Sequence, residues 1–104
     1  MTTEEFLRLI AKQRPCPLTL PKALQALWYD KQSDWNQAHE IVQNVSDADS
    51  AWVHAYLHRK EGDLNNARYW YRRSGQPEFL GELNQEWQQI TSLLLNKVNT
   101  NHGC

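Results

Sequence analysis

The sequence predicts an all-α fold: two stacked antiparallel helical hairpins, preceded by a short helix and closed by a long C-terminal one. Three observations carry this reading. Apolar residues recur at spacings of three and four, prolines are confined to positions 15, 17, 21 and 77, and a central segment repeats itself at an offset of 29 residues. The 104 residues suit a single domain, 1–104. Only 40% of them are apolar, but five Trp, four Tyr and two Phe supply bulk. Each large side chain contributes roughly 1.5–3 kcal/mol when fully buried.

The first helix is expected within 1–14. Thr2 and Glu5 form a capping box, in which hydroxyl and carboxylate satisfy free backbone N–H groups, and Phe6, Leu7, Ile10 and Ala11 line one face. Pro15 and Pro17 then remove donors and push their predecessors out of the α region, so 15–20 reads as an extended linker. Pro21 suits the first turn of the next helix, where its missing N–H costs nothing.

The two hairpins are read at 21–45 and 47–75. Residues 26–38 align with 55–67, and Ala26/Ala55, Lys31/Lys60, Asp34/Asp63, Asn36/Asn65 and Ala38/Ala67 recur in register. Apolar positions correspond as well: Leu24, Leu27, Ile41 and Val42 match Val53, Tyr56, Trp70 and Tyr71. The turns fall at Ser33-Asp34 and Gly62-Asp63, and these aspartates, with Asp30, are expected to cap helices. Self-similarity at this scale marks helix pairs that cannot bury their apolar faces alone.

The run Gly62-Asp63-Leu64-x-x-Ala67-x-x-x-Tyr71 resembles the turn and second helix of a tetratricopeptide repeat (TPR). So does its twin, Asp34-Trp35-x-x-Ala38-x-x-x-Val42. Ala26 and Ala55 fit that family's small first-helix position, although the repeat here is 29 residues against the family's 34. The resemblance implies stacked TPR-like hairpins that display a surface to another macromolecule. The stretch from Trp52 to Asp63, with Tyr69 to Arg73, also resembles small uncharacterised bacterial proteins, a likeness that implies no mechanism.

After Gly75-Gln76-Pro77 a final helix is expected over 77–98, with a frayed tail at 99–104. Leu80, Leu83, Trp87, Ile90 and Leu94 form a seam of about two heptads. That seam either caps the hairpins or serves a homo-oligomer through the 80–94 face.

Function is sought in the second hairpin. Between positions 54 and 73, Arg59, Lys60, Arg68, Arg72 and Arg73 stand against Glu61 and Asp63, a local charge of +3 in a chain of net charge −1. At 100° per residue, Trp52, Val53, Tyr56 and Leu57 face the core while His54, His58 and Glu61 point away. In the partner helix Ala67, Trp70, Tyr71 and Ser74 face inward, and Arg68, Tyr69 and Arg72 outward with Arg73 at the edge. The first hairpin offers Gln25, Tyr29, His39, Glu40 and Gln43 at equivalent places, a less basic set. The expected partner-binding face is therefore His54, His58, Arg68, Tyr69, Arg72 and Arg73. Guanidinium forks suit carboxylates, and Arg and Tyr are enriched where interfaces concentrate energy, so the expected partner is a protein or an acidic peptide.

The alternative is a metal or small-ligand site on His54, His58 and Glu61, since histidines at i, i+4 can reach one ion. Nucleic acid would use a larger basic face than this slightly acidic chain provides. No cofactor motif, Gly-rich phosphate loop or nucleophile-base pair is present; Cys16 sits in the proline-rich linker beside no histidine and Cys104 in the expected frayed tail, so catalysis is not expected. The absence of a disulfide framework, a basic leader or an apolar run of membrane length points to a cytoplasmic setting without membrane partners.

Overall fold

The computed structural model describes residues 1–102, with side chains through Asn99. Six α-helices and no strand occur among the described residues: α1 (Thr3–Ala11), α2 (Lys22–Lys31), α3 (Trp35–Val42), α4 (Ala48–Glu61), α5 (Leu64–Ser74) and α6 (Leu83–His102). They form a globule with a radius of gyration of 12.9 Å.

Local chemistry sets the helix starts. Thr2 Oγ1 accepts from the Glu5 N–H at 3.1 Å and donates to the Glu5 carboxylate rather than leaving it to the backbone. Asp34, Asp47 and Asp63 accept from the backbone N–H of Gln37, Ser50 and Asn66 and cap α3, α4 and α5. Gly62 and Gly75 end α4 and α5 at φ +91° and +77°, the left-handed conformation that a β-carbon disfavours.

Across the short turns, α2 packs on α3 and α4 packs on α5. In addition α4 meets α2, α3 and α6, while α6 also covers α2 and α1. Helix α4 is thus surrounded, and every residue from Ser50 to His58 is buried. Phe6, Trp28 and Trp87 join α1, α2 and α6, with Phe6 5.4 Å from the Trp28 ring and 6.1 Å from that of Trp87. The indole N–H groups of these two tryptophans are satisfied, Trp28 by the Arg14 carbonyl and Trp87 by that of Leu27.

The C-terminal helix differs from expectation at both ends. It starts at Leu83, leaving Leu80 88% exposed in the preceding loop, and it continues through Thr100 to His102. Positions 103–104 of the expected tail, including Cys104, lie outside the described residues. The rest of the seam is spent inside this chain: Trp87, Ile90 and Leu94 are buried in its own core. Those side chains are therefore not available to a homo-oligomer through the 80–94 face. The helix caps the others, because α2 and α4 present the apolar surface that it covers.

Two carboxylates lock the helices together. Asp30, 2% exposed, accepts from the Tyr56 hydroxyl at 2.7 Å and from Lys60 Nζ at 2.9 Å. Glu86, fully buried, accepts from the Tyr71 hydroxyl at 2.5 Å and from Arg59 Nε at 3.1 Å. Asp30 is thus an inter-helix anchor and not a cap. Burial and the adjacent carboxylates drive both tyrosine hydroxyls well above the usual phenol range, so they remain donors.

Candidate functional site

The second hairpin divides its expected site residues between two environments. His54 and His58, expected to point away from the core, are only 3% and 7% exposed. The correction follows from the position of α4. A helical wheel assigns one buried face, whereas α4 has neighbours on several sides, and the face carrying both histidines lies against α3 and α5. Arg59 and Lys60 are likewise withdrawn from the basic cluster, because each neutralises a buried carboxylate on another helix.

What the structure assembles around His54 is an imidazole–indole cluster. His39, on α3, brings its Nε2 to 3.1 Å from His54 Nε2. His58 sits one turn along α4, its ring centroid 4.8 Å from that of His54 and 5.3 Å from that of His39. Trp35 stacks on His39 at 4.9 Å, and its N–H donates to the Leu57 carbonyl at 2.8 Å, which fixes the indole. Trp70 stacks on His54 from α5 at 3.9 Å. One ring nitrogen of each histidine lies within 4.8 Å of the others.

Electrostatics keep this cluster uncharged at its centre. Burial, then the neighbouring His58 and His39, lowers the His54 imidazole to about 3. Burial, then His58, also lowers His39, while Glu61 acts in the opposite sense. Glu61, half-exposed, takes a 2.6 Å hydrogen bond from His58 Nδ1. His54 Nδ1 is buried and has no partner. A neutral imidazole carries one donor and one acceptor, so either tautomer leaves a buried polar atom unsatisfied, at a cost of about 1–3 kcal/mol.

His39 is the member that sequence reasoning placed outward. Its signal was Trp35 and His39 at i, i+4 on one face of α3, an aromatic pair better suited to packing than to water. The triad of His54, His58 and Glu61 is not a three-ligand set, since Glu61 hydrogen-bonds to His58. A second group, His58, Glu61 and Asp63, also brings possible ligand atoms within 4.8 Å of one another. There, however, Asp63 caps α5 and Glu61 holds His58.

The remaining expected residues stay at the surface. Arg68, Tyr69, Arg72 and Arg73 are exposed on α5. Arg68 Nε lies 3.3 Å from the Glu78 carboxylate, an exposed pair worth about 1 kcal/mol or less. Arg73 donates to the Tyr69 hydroxyl at 2.9 Å and lies over the Trp70 ring at 5.1 Å. Arg72 has no carboxylate within ion-pairing distance among the described residues, and with Arg68, Tyr71, Gln76, Pro77 and Glu78 it lines a shallow depression of about 290 Å³. Trp70 therefore joins the two regions, with His54 on one face and Arg73 over its ring.

Elsewhere, a groove of about 570 Å³ between α1 and the α2–α3 turn is lined by Leu7, Ile10 and Lys31 among others and gathers no reactive group. Cys16 is buried, and burial pushes its thiol up to about 11, away from nucleophilic use. No helix of the described residues is long and apolar enough to cross a membrane. No protein-family model, curated protein or solved structure matches the chain.

Proposed function

We propose that the chain is a small cytoplasmic interaction module that binds an acidic peptide, or an acidic protein surface, through the outer face of α5. The observation that carries this reading is the difference between the two second helices. Helix α3 packs against α2 and α4, whereas α5 packs on α4 and on no other helix to a comparable degree. In the 29-residue register His39 corresponds to Arg68 and Gln43 to Arg72. His39 packs against α4, whereas Arg68 and Arg72 offer their guanidinium groups to solvent.

Charge complementarity selects the partner. Arg68, Arg72 and Arg73 occupy two turns of one helix beside a 42% exposed Tyr69, and among the described residues Glu78 is the one carboxylate paired with them. Carboxylates of a partner would displace Glu78 from Arg68 and occupy Arg72, with bidentate geometry open to both, while Tyr69 offers a flat amphipathic contact. The face no longer includes His54 and His58, whose rings are buried. The tetratricopeptide-like relation is part of the same proposal, supported by the equivalent caps Asp34 and Asp63 and by the paired positions of the repeat. Binding rather than catalysis fits a face made of arginines without a nucleophile and its base.

A peptide array graded from net negative to net positive tests the reading, probed with wild type and with Arg68→Ala/Tyr69→Ala/Arg72→Ala shown to be folded by circular dichroism. Wild type should retain acidic peptides, and the triple variant should lose at least about tenfold in affinity, which corresponds to only 1.4 kcal/mol. Equal retention by both proteins, or no charge preference, would overturn the assignment.

A further inference from the structure

Independently of the α5 face, we propose that His39, His54 and His58 form a binding site for a late first-row divalent cation, of which Zn²⁺ is the representative. Three geometric facts carry it.

The first is the spacing. His39 Nε2 and His54 Nε2 lie 3.1 Å apart. Two imidazole nitrogens bound tetrahedrally to zinc at about 2.0–2.1 Å stand roughly 3.3 Å from each other. The pair is thus close to a ligand edge without a metal, and the third imidazole has a nitrogen within 4.8 Å of both.

The second is the orientation of His58. The Glu61 carboxylate accepts a 2.6 Å hydrogen bond from Nδ1, which places the proton there and leaves the Nε2 lone pair free. A carboxylate behind a ligating imidazole is the usual outer partner of a metal-bound histidine. Glu61 is accordingly a positioning residue, and His39 supplies the third ligand.

The third is packing around a His54 that is only 3% exposed. Stacking of Trp35 on His39 and Trp70 on His54 holds both rings in place, as a preorganised site requires. Three neutral nitrogen donors suit Zn²⁺, Ni²⁺ or Cu²⁺ and disfavour Mg²⁺ and Ca²⁺, which take oxygen ligands. The fourth position falls to water or to a group from outside the chain.

The test uses the full chain carrying His102→Ala and Cys104→Ser, so that only the three clustered histidines remain among the four in the sequence. Titration calorimetry with Zn²⁺ should give one site per chain. Binding should fall at least 100-fold in His39→Phe, which keeps a ring to stack on Trp35, and about 10- to 100-fold in Glu61→Gln. Co²⁺ substitution needs no further variant: the intense visible bands of a tetrahedral ion support the site, and the weak spectrum of a six-coordinate ion overturns it. Absence of stoichiometric Zn²⁺ binding by the folded protein, or equal affinity in His39→Phe, also overturns it.

Discussion

Removing the Glu86 carboxylate should be among the most damaging single changes in this protein. Glu86 is fully buried on α6 and receives Arg59 from α4 at 3.1 Å and Tyr71 from α5 at 2.5 Å. The Arg59 side chain is itself only 15% exposed, and its Nη2 donates to the Gly81 carbonyl. In Glu86→Ala the guanidinium loses its counter-charge and the tyrosine hydroxyl loses its acceptor, while most of the surrounding structure remains. Breaking a buried pair from one side costs about 3–5 kcal/mol. A domain of this size has roughly 5–15 kcal/mol in total, so the variant should be marginal or unfolded. Glu86→Gln keeps an acceptor for Tyr71 and the side-chain volume, and should lose about 1.5–3 kcal/mol, the range for hydrogen bonds to charged groups. Urea unfolding followed by tryptophan fluorescence measures both. The double variant Glu86→Leu/Arg59→Met supplies the control, because replacing both partners by apolar groups should recover much of the loss. A Glu86→Ala penalty below about 1 kcal/mol, or a double variant no more stable than Glu86→Ala, would refute the claim that this pair ties α4, α5 and α6 together.

Other predictions rest on separate features. Trp87→Ala removes a 1% exposed ring that touches Phe6, together with its hydrogen bond to the Leu27 carbonyl, and should cost about 3–5 kcal/mol in the same unfolding assay. Gly62→Ala should cost about 1–2 kcal/mol from backbone conformation alone, since φ is +91° and a Cβ there would meet nothing within 4 Å. In metal-free buffer, stability should fall as pH drops from 6.5 towards 3. Neutral His54 titrates near 3 in the fold against an ordinary 6.5, so in that window the unfolded chain binds the extra proton. The slope from His54 is about 1.4 kcal/mol per pH unit, with His39 acting in the same direction. The groups facing His54 are His39 on α3, His58 with Glu61 on α4, and Trp70 on α5 with Arg73 over its ring. A melting temperature that stays flat from pH 7 to 5 would contradict the buried, neutral placement of this cluster.

Much of the scaffold was legible because it follows from local rules. Prolines bounded the linker, Asp34 and Asp63 marked helix starts at an offset of 29, and the Trp87–Ile90–Leu94 spacing identified the buried stripe of α6. What failed was inference about faces on α4. Periodicity assumes one partner surface, and a helix enclosed by α2, α3, α5 and α6 buries residues of any polarity whose side chains find neighbours. His54 and His58 are such residues, and their buried neighbours on α3 and α5 are not encoded in α4 itself. Leu80 failed differently: it has the spacing of the seam but precedes the start of α6, and the heptad pattern carried no signal for that boundary. The arginines of α5 were read correctly as exposed because that helix has one major partner and so behaves as the wheel assumes.

The most direct test of the central claim, that α5 is the binding face, is amide and arginine Nε chemical-shift mapping during titration with the best acidic peptide from the array. Perturbations should concentrate at Arg68, Tyr69, Arg72 and Arg73 and weaken as salt is raised. Shifts confined instead to the groove lined by Leu7, Ile10 and Lys31, with α5 unmoved, would contradict it.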